Sequence, residues 1–87
     1  MEIKWDEQAW EDFLYWVEND KKILRKIKEL IKDIDRNIYK GIGKPEPLRG
    51  NLNGYWSRRI NDKNRIVYKV ESNVIYFLQC GSHYRDK

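Results

Sequence analysis

The chain has 87 residues, which suffices for one domain around one small core. Eighteen basic against fourteen acidic residues leave a formal charge of +4 and a pI near 9.2, a balance that favours a polyanionic partner. A single histidine and a single cysteine exclude a Cys/His zinc site and an internal disulfide, and no apolar run approaches the roughly 18 residues that span a bilayer.

The opening Met1-Glu2-Ile3-Lys4-Trp5-Asp6 is too charged for a signal peptide, so a cytoplasmic, soluble protein with no membrane association is expected. Residues 2–5 alternate polar and apolar, as a short strand does. Asp6 can cap a helix over 7–19, whose apolar stripe is Ala9, Phe13, Trp16 and Val17. Asp20 can cap a second helix over 21–36, with the stripe Ile23, Ile27, Leu30, Ile31 and Ile34. The two helices meet at Asn19-Asp20 and are expected to form a hairpin packed on a sheet. Lys21, Arg25, Lys28 and Lys32 line the opposite face of the second helix, either as a solvated surface or as a phosphate-facing ridge.

Residues 37–54 hold both prolines and four of the five glycines, and read as a long structureless connection with a functional purpose. Pro45 and Pro47 bracket Glu46 and restrict the backbone on both sides of it. Beyond residue 54 the pattern is β: 55–60, 65–70 and 74–82 read as three strands. Residues 74–78 are apolar on both faces, which marks a central, buried strand with Cys80 as a buried thiol close behind. Parity sets the hairpin. If Trp56 and Ile60 share the core face with Ile66, Tyr68 and Val70, then Arg59 and Arg65 project together from the other face, near the turn. That pair reads either as a phosphate clamp or as two surface arginines.

His83, the only histidine, follows the most apolar strand and precedes Tyr84. Imidazole titrates nearest neutral pH of all side chains. A histidine, the proline-braced acid Glu46 and several arginines in a small basic domain are the minimum set for cutting RNA without a metal, because RNA carries its own nucleophile in the 2′-OH.

Taken together, Gly43-Lys44-Pro45-Glu46-Pro47-Leu48, Gly54-Tyr55-Trp56-Ser57-Arg58-Arg59-Ile60, Arg65-Ile66-Val67-Tyr68 and Cys80 to His83-Tyr84 resemble the YoeB family of the RelE/ParE superfamily. The resemblance runs over nearly the whole chain, including Trp5, Trp10, Tyr15-Trp16 and Glu29-Leu30-Ile31-Lys32-Asp33. It implies an α+β, microbial-ribonuclease-like fold with the helical hairpin on one face of a twisted, mostly antiparallel sheet. It also implies a ribosome-dependent mRNA interferase of a toxin–antitoxin pair, needing no cofactor, cutting mRNA in the ribosomal A site and bound by a YefM-like antitoxin. Homodimers occur in the family. On this resemblance Glu46 falls on the general base, Arg65 on the group that stabilises the scissile phosphate, His83 on the general acid and Tyr84 on a position that orients the substrate. Arg59 matches a phosphate contact, Arg49 stands where a lysine is common, and Lys44 joins them in binding substrate.

Three departures from the family pattern stand out. Lys63 replaces a frequent glutamate in the turn, Gly81-Ser82 replaces an arginine–aromatic pair, and Arg85-Asp86-Lys87 continue past Tyr84. Two other readings compete: a ParE-like toxin directed at DNA gyrase, which lacks the acid and histidine set, and a plain basic RNA-binding module.

Overall fold

The computed structural model describes residues 1–81; His83 and Tyr84 lie outside the described residues. Strand β1 (Glu2–Trp5) leads into helices α1 (Glu7–Asn19) and α2 (Lys21–Arg36). Then come β2 (Glu46–Pro47), a 3-10 turn (Gly50–Leu52), β3 (Trp56–Arg59), β4 (Arg65–Glu71) and β5 (Val74–Gly81). The five strands form one sheet in the order β1-β5-β4-β3-β2, with β1 parallel to β5 and every other pair antiparallel. The expected α+β class, with a helical hairpin on a mostly antiparallel sheet, is the observed one. Among the described residues no helix is long and apolar enough to cross a membrane.

Both helices start where their caps dictate. The Asp6 side chain accepts from Gln8 N at 3.2 Å, and Asp20 Oδ1 accepts from Lys22 N and Ile23 N, each at 3.1 Å. Asp20 also ends α1, its own N–H donating to Trp16 O at 3.0 Å. One residue thus closes one helix and opens the next, which makes the hairpin abrupt. Such a cap contributes about 1 kcal/mol.

The stripe expected on α2 is the one that packs: Ile27, Leu30 and Ile34 are fully buried, with Ile23 and Ile31 at the margin of the core. On α1 the expectation holds for Ala9, Phe13 and Trp16 but not for Val17, which is 41% exposed. The α1 stripe is tilted toward Phe13 because Trp5 of β1 packs on that ring, centroids 5.0 Å apart, and on Phe77 at 4.8 Å. The sheet contributes Ile66, Tyr68, Ile75, Phe77 and Cys80 to the same core.

A bulge on β5 makes that set possible. Val67 pairs with Gln79 but Tyr68 pairs with Phe77, so Leu78 is the extra residue. The phase shift turns Cys80 rather than Gln79 toward the helices. Beyond the end of β1, α1 takes over the edge of β5: Asp12 Oδ2 accepts from Cys80 N at 3.0 Å, and Trp16 Nε1 donates to Cys80 O at 2.7 Å. Backbone groups that would lack a neighbouring strand are satisfied by side chains.

The stretch 37–54 is not structureless. Glu46 pairs with Ser57 and Pro47 with Trp56, giving an edge strand two residues long. An edge strand is where a proline can sit, because no partner needs its missing N–H. The preceding loop is tied to one buried guanidinium. Arg58, fully buried, donates from Nη2 to the carbonyls of Asn37 (2.6 Å), Ile38 (3.4 Å) and Lys40 (2.8 Å). Its Nη1 donates to Ile42 O (3.2 Å) and Asp33 Oδ2 (2.6 Å), and its Nε to Tyr68 Oη (3.2 Å). Tyr68 Oη in turn donates to Ile38 O at 2.7 Å. The loop fits this closely only with glycine at two points. A Cβ on Gly41 would collide with the Asp33 carboxylate, and one on Gly43 would lie 2.9 Å from Leu30, both at positive φ.

The hydrogen bond from Arg58, reinforced by the Ile42 N–H, holds the Asp33 carboxyl below its ordinary value of 3.8. A depressed carboxyl stabilises the fold fully above its unfolded pKa, and that contribution is lost as pH falls through the folded value. Asp33→Asn is therefore expected to lower stability at neutral pH, with the deficit shrinking below about pH 4 in urea titrations at a series of pH values. Arg58→Met, which strands Asp33 and several loop carbonyls, is expected to cost about 3 kcal/mol or more in the same assay. Burial, with Asp12 nearby, pushes the Cys80 thiol up to about 12. Iodoacetamide should consequently leave native Cys80 unlabelled near pH 8 and modify it rapidly in denaturant, as read by intact mass.

Candidate functional site

Residues paired across neighbouring strands point to the same face of a sheet, so the register alone assembles the site. One row across the face opposite the helices is Glu46, Ser57, Val67 and Gln79, from β2 to β5. Two residues along lies a second row, Arg59, Arg65 and Gly81. Arg59 and Arg65 are direct partners on one face beside their turn, as parity required. From ideal strand spacing, the Glu46 Cα lies about 8 Å from that of Arg59 and about 12 Å from that of Arg65. Long side chains span such gaps. β5 brings the chain to Gly81, opposite Arg65 and two residues short of His83 in sequence.

Each element has a local reason to present its residue. The β3–β4 turn is built by Asn61, whose Oδ1 accepts from Lys63 N at 2.9 Å, Asn64 N at 2.8 Å and Asn64 Nδ2 at 3.1 Å. Ile60 N donates to Asn64 O at 2.9 Å and closes it. The turn therefore holds Arg59 and Arg65 in register at their near ends. On the other side of β3, Arg59 N donates to Gly43 O at 2.6 Å, docking the loop just ahead of Glu46. Lys44 has φ +52°, a left-handed conformation that costs a non-glycine residue about 1–2 kcal/mol. Strain of this kind collects at functional sites.

The groups differ in exposure. Glu46, Lys44, Arg49 and Arg59 are exposed, Arg65 is half-buried, and Ser57, Val67 and Gln79 are buried. Arg49 stands at the start of the 3-10 turn, its carbonyl accepting from Leu52 N at 3.2 Å. Arg65 Nη1 and Ser57 Oγ are buried and have no hydrogen-bond partner among the described residues. Leaving such a group unpaired costs about 1–3 kcal/mol, more for a charged one. Arg59 stands beside Arg65, so an anion on this face would meet two guanidinium groups.

The structure brings Glu46, Arg59 and Arg65 to one face, with Lys44 two residues before Glu46. It does not bring the helix ridge there. Lys21, Arg25, Lys28 and Lys32 are exposed on the side of α2 opposite its buried stripe, beyond the helical layer. His83 and Tyr84 lie outside the described residues.

Two features escaped the sequence reading. Parity with Trp56 and Ile60 places Arg58 inward, and a guanidinium there needs acceptors. Asp33, three residues after Leu30 on the buried side of α2, was the counter-charge to look for. Ser57 sits opposite Glu46 through a strand too short to show as a pattern.

Comparison with known proteins bears on the whole chain. Residues 5–84 match the family model described as a YoeB-like toxin of bacterial type II toxin–antitoxin systems. The Toxin YoeB of Escherichia coli strain K12 is 50% identical over 84 residues, covering 97% of this chain and 100% of that protein. A YoeB dimer from Staphylococcus aureus is 52% identical with a TM-score of 0.89, covering 97% of this chain and 98% of that one. The toxin in a heterotetrameric YoeB–YefM complex from the same organism has the same identity and coverage, with a TM-score of 0.90. The chain belongs to the YoeB family of toxins of bacterial type II toxin–antitoxin systems.

Proposed function

We propose that this toxin is a ribosome-dependent endoribonuclease that cuts mRNA without a metal. The observation that carries the reading is the sheet face that brings Glu46, Arg59 and Arg65 together, with Arg65 Nη1 buried and without a hydrogen-bond partner among the described residues. Glu46 takes the proton from the ribose 2′-OH, and the freed oxygen attacks the adjacent phosphorus. As the new P–O2′ bond forms, Arg65 and Arg59 neutralise the charge on the pentacoordinate phosphorus. The P–O5′ bond breaks, and the departing 5′ oxygen takes its proton from His83. A 2′,3′-cyclic phosphate remains on the upstream fragment. Tyr84 orients the substrate, while Lys44 and Arg49 bind flanking phosphates.

The YefM complex formed by the S. aureus relative supports an antitoxin as this chain's partner, and that relative's dimer supports self-association. The ridge Lys21, Arg25, Lys28 and Lys32 faces away from the Glu46 side, an arrangement suited to ribosomal RNA on one side and mRNA on the other.

Glu46→Gln is expected to lower mRNA cleavage on translating ribosomes by about 10²–10⁴-fold, with ribosome association retained. Arg65→Ala and His83→Ala should each do likewise, and cleavage by any of these at the wild-type rate would remove that residue's role. Gyrase supercoiling should be unaffected by the wild-type chain. Neutralising two ridge cations should weaken ribosome association and flatten its salt dependence; an unchanged slope would assign the ridge to solubility.

A further inference from the structure

The same sheet face carries a third row that the proposed chemistry does not use. Lys69 on β4 pairs with Tyr76 on β5, which pairs with Lys4 on β1. Tyr55, one residue ahead of β3, completes it. Cations and rings alternate: Lys69 Nζ lies 5.2 Å from the Tyr55 ring centroid and 5.6 Å from that of Tyr76, and Lys4 Nζ lies 5.9 Å from the Tyr76 ring. These four side chains line a cleft of about 420 Å³.

Two acids also border the cleft, and one of them pairs with a cation of the row. The Asp6 carboxylate is engaged at the start of α1. Glu71 stands at the exposed rim, 3.7 Å from Lys69. Lys4 is exposed and forms no ion pair among the described residues. Along β4, Lys69 lies four residues from Arg65, about 13 Å at ideal rise, a separation that a short extended nucleic-acid strand covers.

From this continuity and charge we infer that the Tyr55–Lys69–Tyr76–Lys4 row is a binding platform for single-stranded RNA flanking the cleaved linkage. Bases stack on the tyrosine rings and phosphates meet the two ammonium groups. Alternating rings and cations along a groove is how single strands are held without regard to sequence. The inference rests on the nuclease reading only for which strand is bound.

The test is fluorescence anisotropy of a labelled short single-stranded RNA, 2′-O-methylated throughout to prevent cleavage, titrated with the full chain over a range of salt concentrations. Lys4→Gln with Lys69→Gln should weaken binding and reduce the salt slope by about 1.4, two phosphate contacts on a single strand. Tyr55→Leu with Tyr76→Leu should weaken it about tenfold or more with little change of slope. Lys69→Arg and Tyr76→Phe, which keep charge and ring, should restore binding. Lys4→Glu, an exposed change outside the core, serves if the double variants melt.

Absence of RNA binding by the wild type, or wild-type affinity in Lys4→Glu and both double variants, would overturn the platform. So would a loss of antitoxin affinity in these variants with RNA binding unchanged, which would make the face an antitoxin dock. Glu46→Gln separates the two proposals. Wild-type cleavage by that variant removes Glu46 as the base and leaves the platform standing, whereas lost cleavage by it beside unaltered RNA binding in the platform variants does the reverse.

Discussion

The buried guanidinium of Arg58 is the constraint on which the arrangement depends. A charge taken out of water is tolerated only where its donors are met, and here six contacts come from the end of α2, the 37–42 loop and β4. The relation is reciprocal. Without Arg58 the carbonyls of Asn37, Lys40 and Ile42 would lose a partner, and the loop would keep only its ties through Ile38 O, Ile42 N and Gly43 O. Because residues along a strand alternate in direction, the residue that locks β3 from the helix side also fixes Ser57 and Arg59 on the other. Core anchoring and site geometry are in this way one property of β3.

This division of faces explains how so small a chain supports both a core and a polar site. The helices cover one side of the sheet, leaving the other to Glu46, the arginine pair and the tyrosine–lysine row. The sheet's margins are handled locally. α1 satisfies the far end of β5 through Asp12 and Trp16, and β2 is short and proline-containing, a poor template for further strands. The turn between β4 and β5 is equally economical: Ser72 and Asn73 both have positive φ, the backbone of the tight hairpin that matches strand twist.

The face opposite the helices also shows why cations dominate there. Glu46 is the one acid among the two rows that form the site, set against Arg59 and Arg65, with Lys44 and Arg49 on the adjoining loop. In the proposed cleavage this excess offsets phosphate charge and the single carboxylate takes the 2′-OH proton.

What the sequence determined unaided was whatever rests on local periodicity and capping. Asp6 and Asp20 set both helix starts, the α2 stripe set its buried side, and strand alternation put Arg59 beside Arg65. These follow from neighbours within a few residues, whose geometry hardly depends on the rest of the chain. The tertiary structure decided what arises between distant segments: the two-residue β2 that exists only through Ser57 and Trp56, the exposure of Val17, the bulge at Leu78 and the gathering of loop carbonyls around Arg58. None has a repeating signature, because each is stabilised by partners that only folding brings into reach.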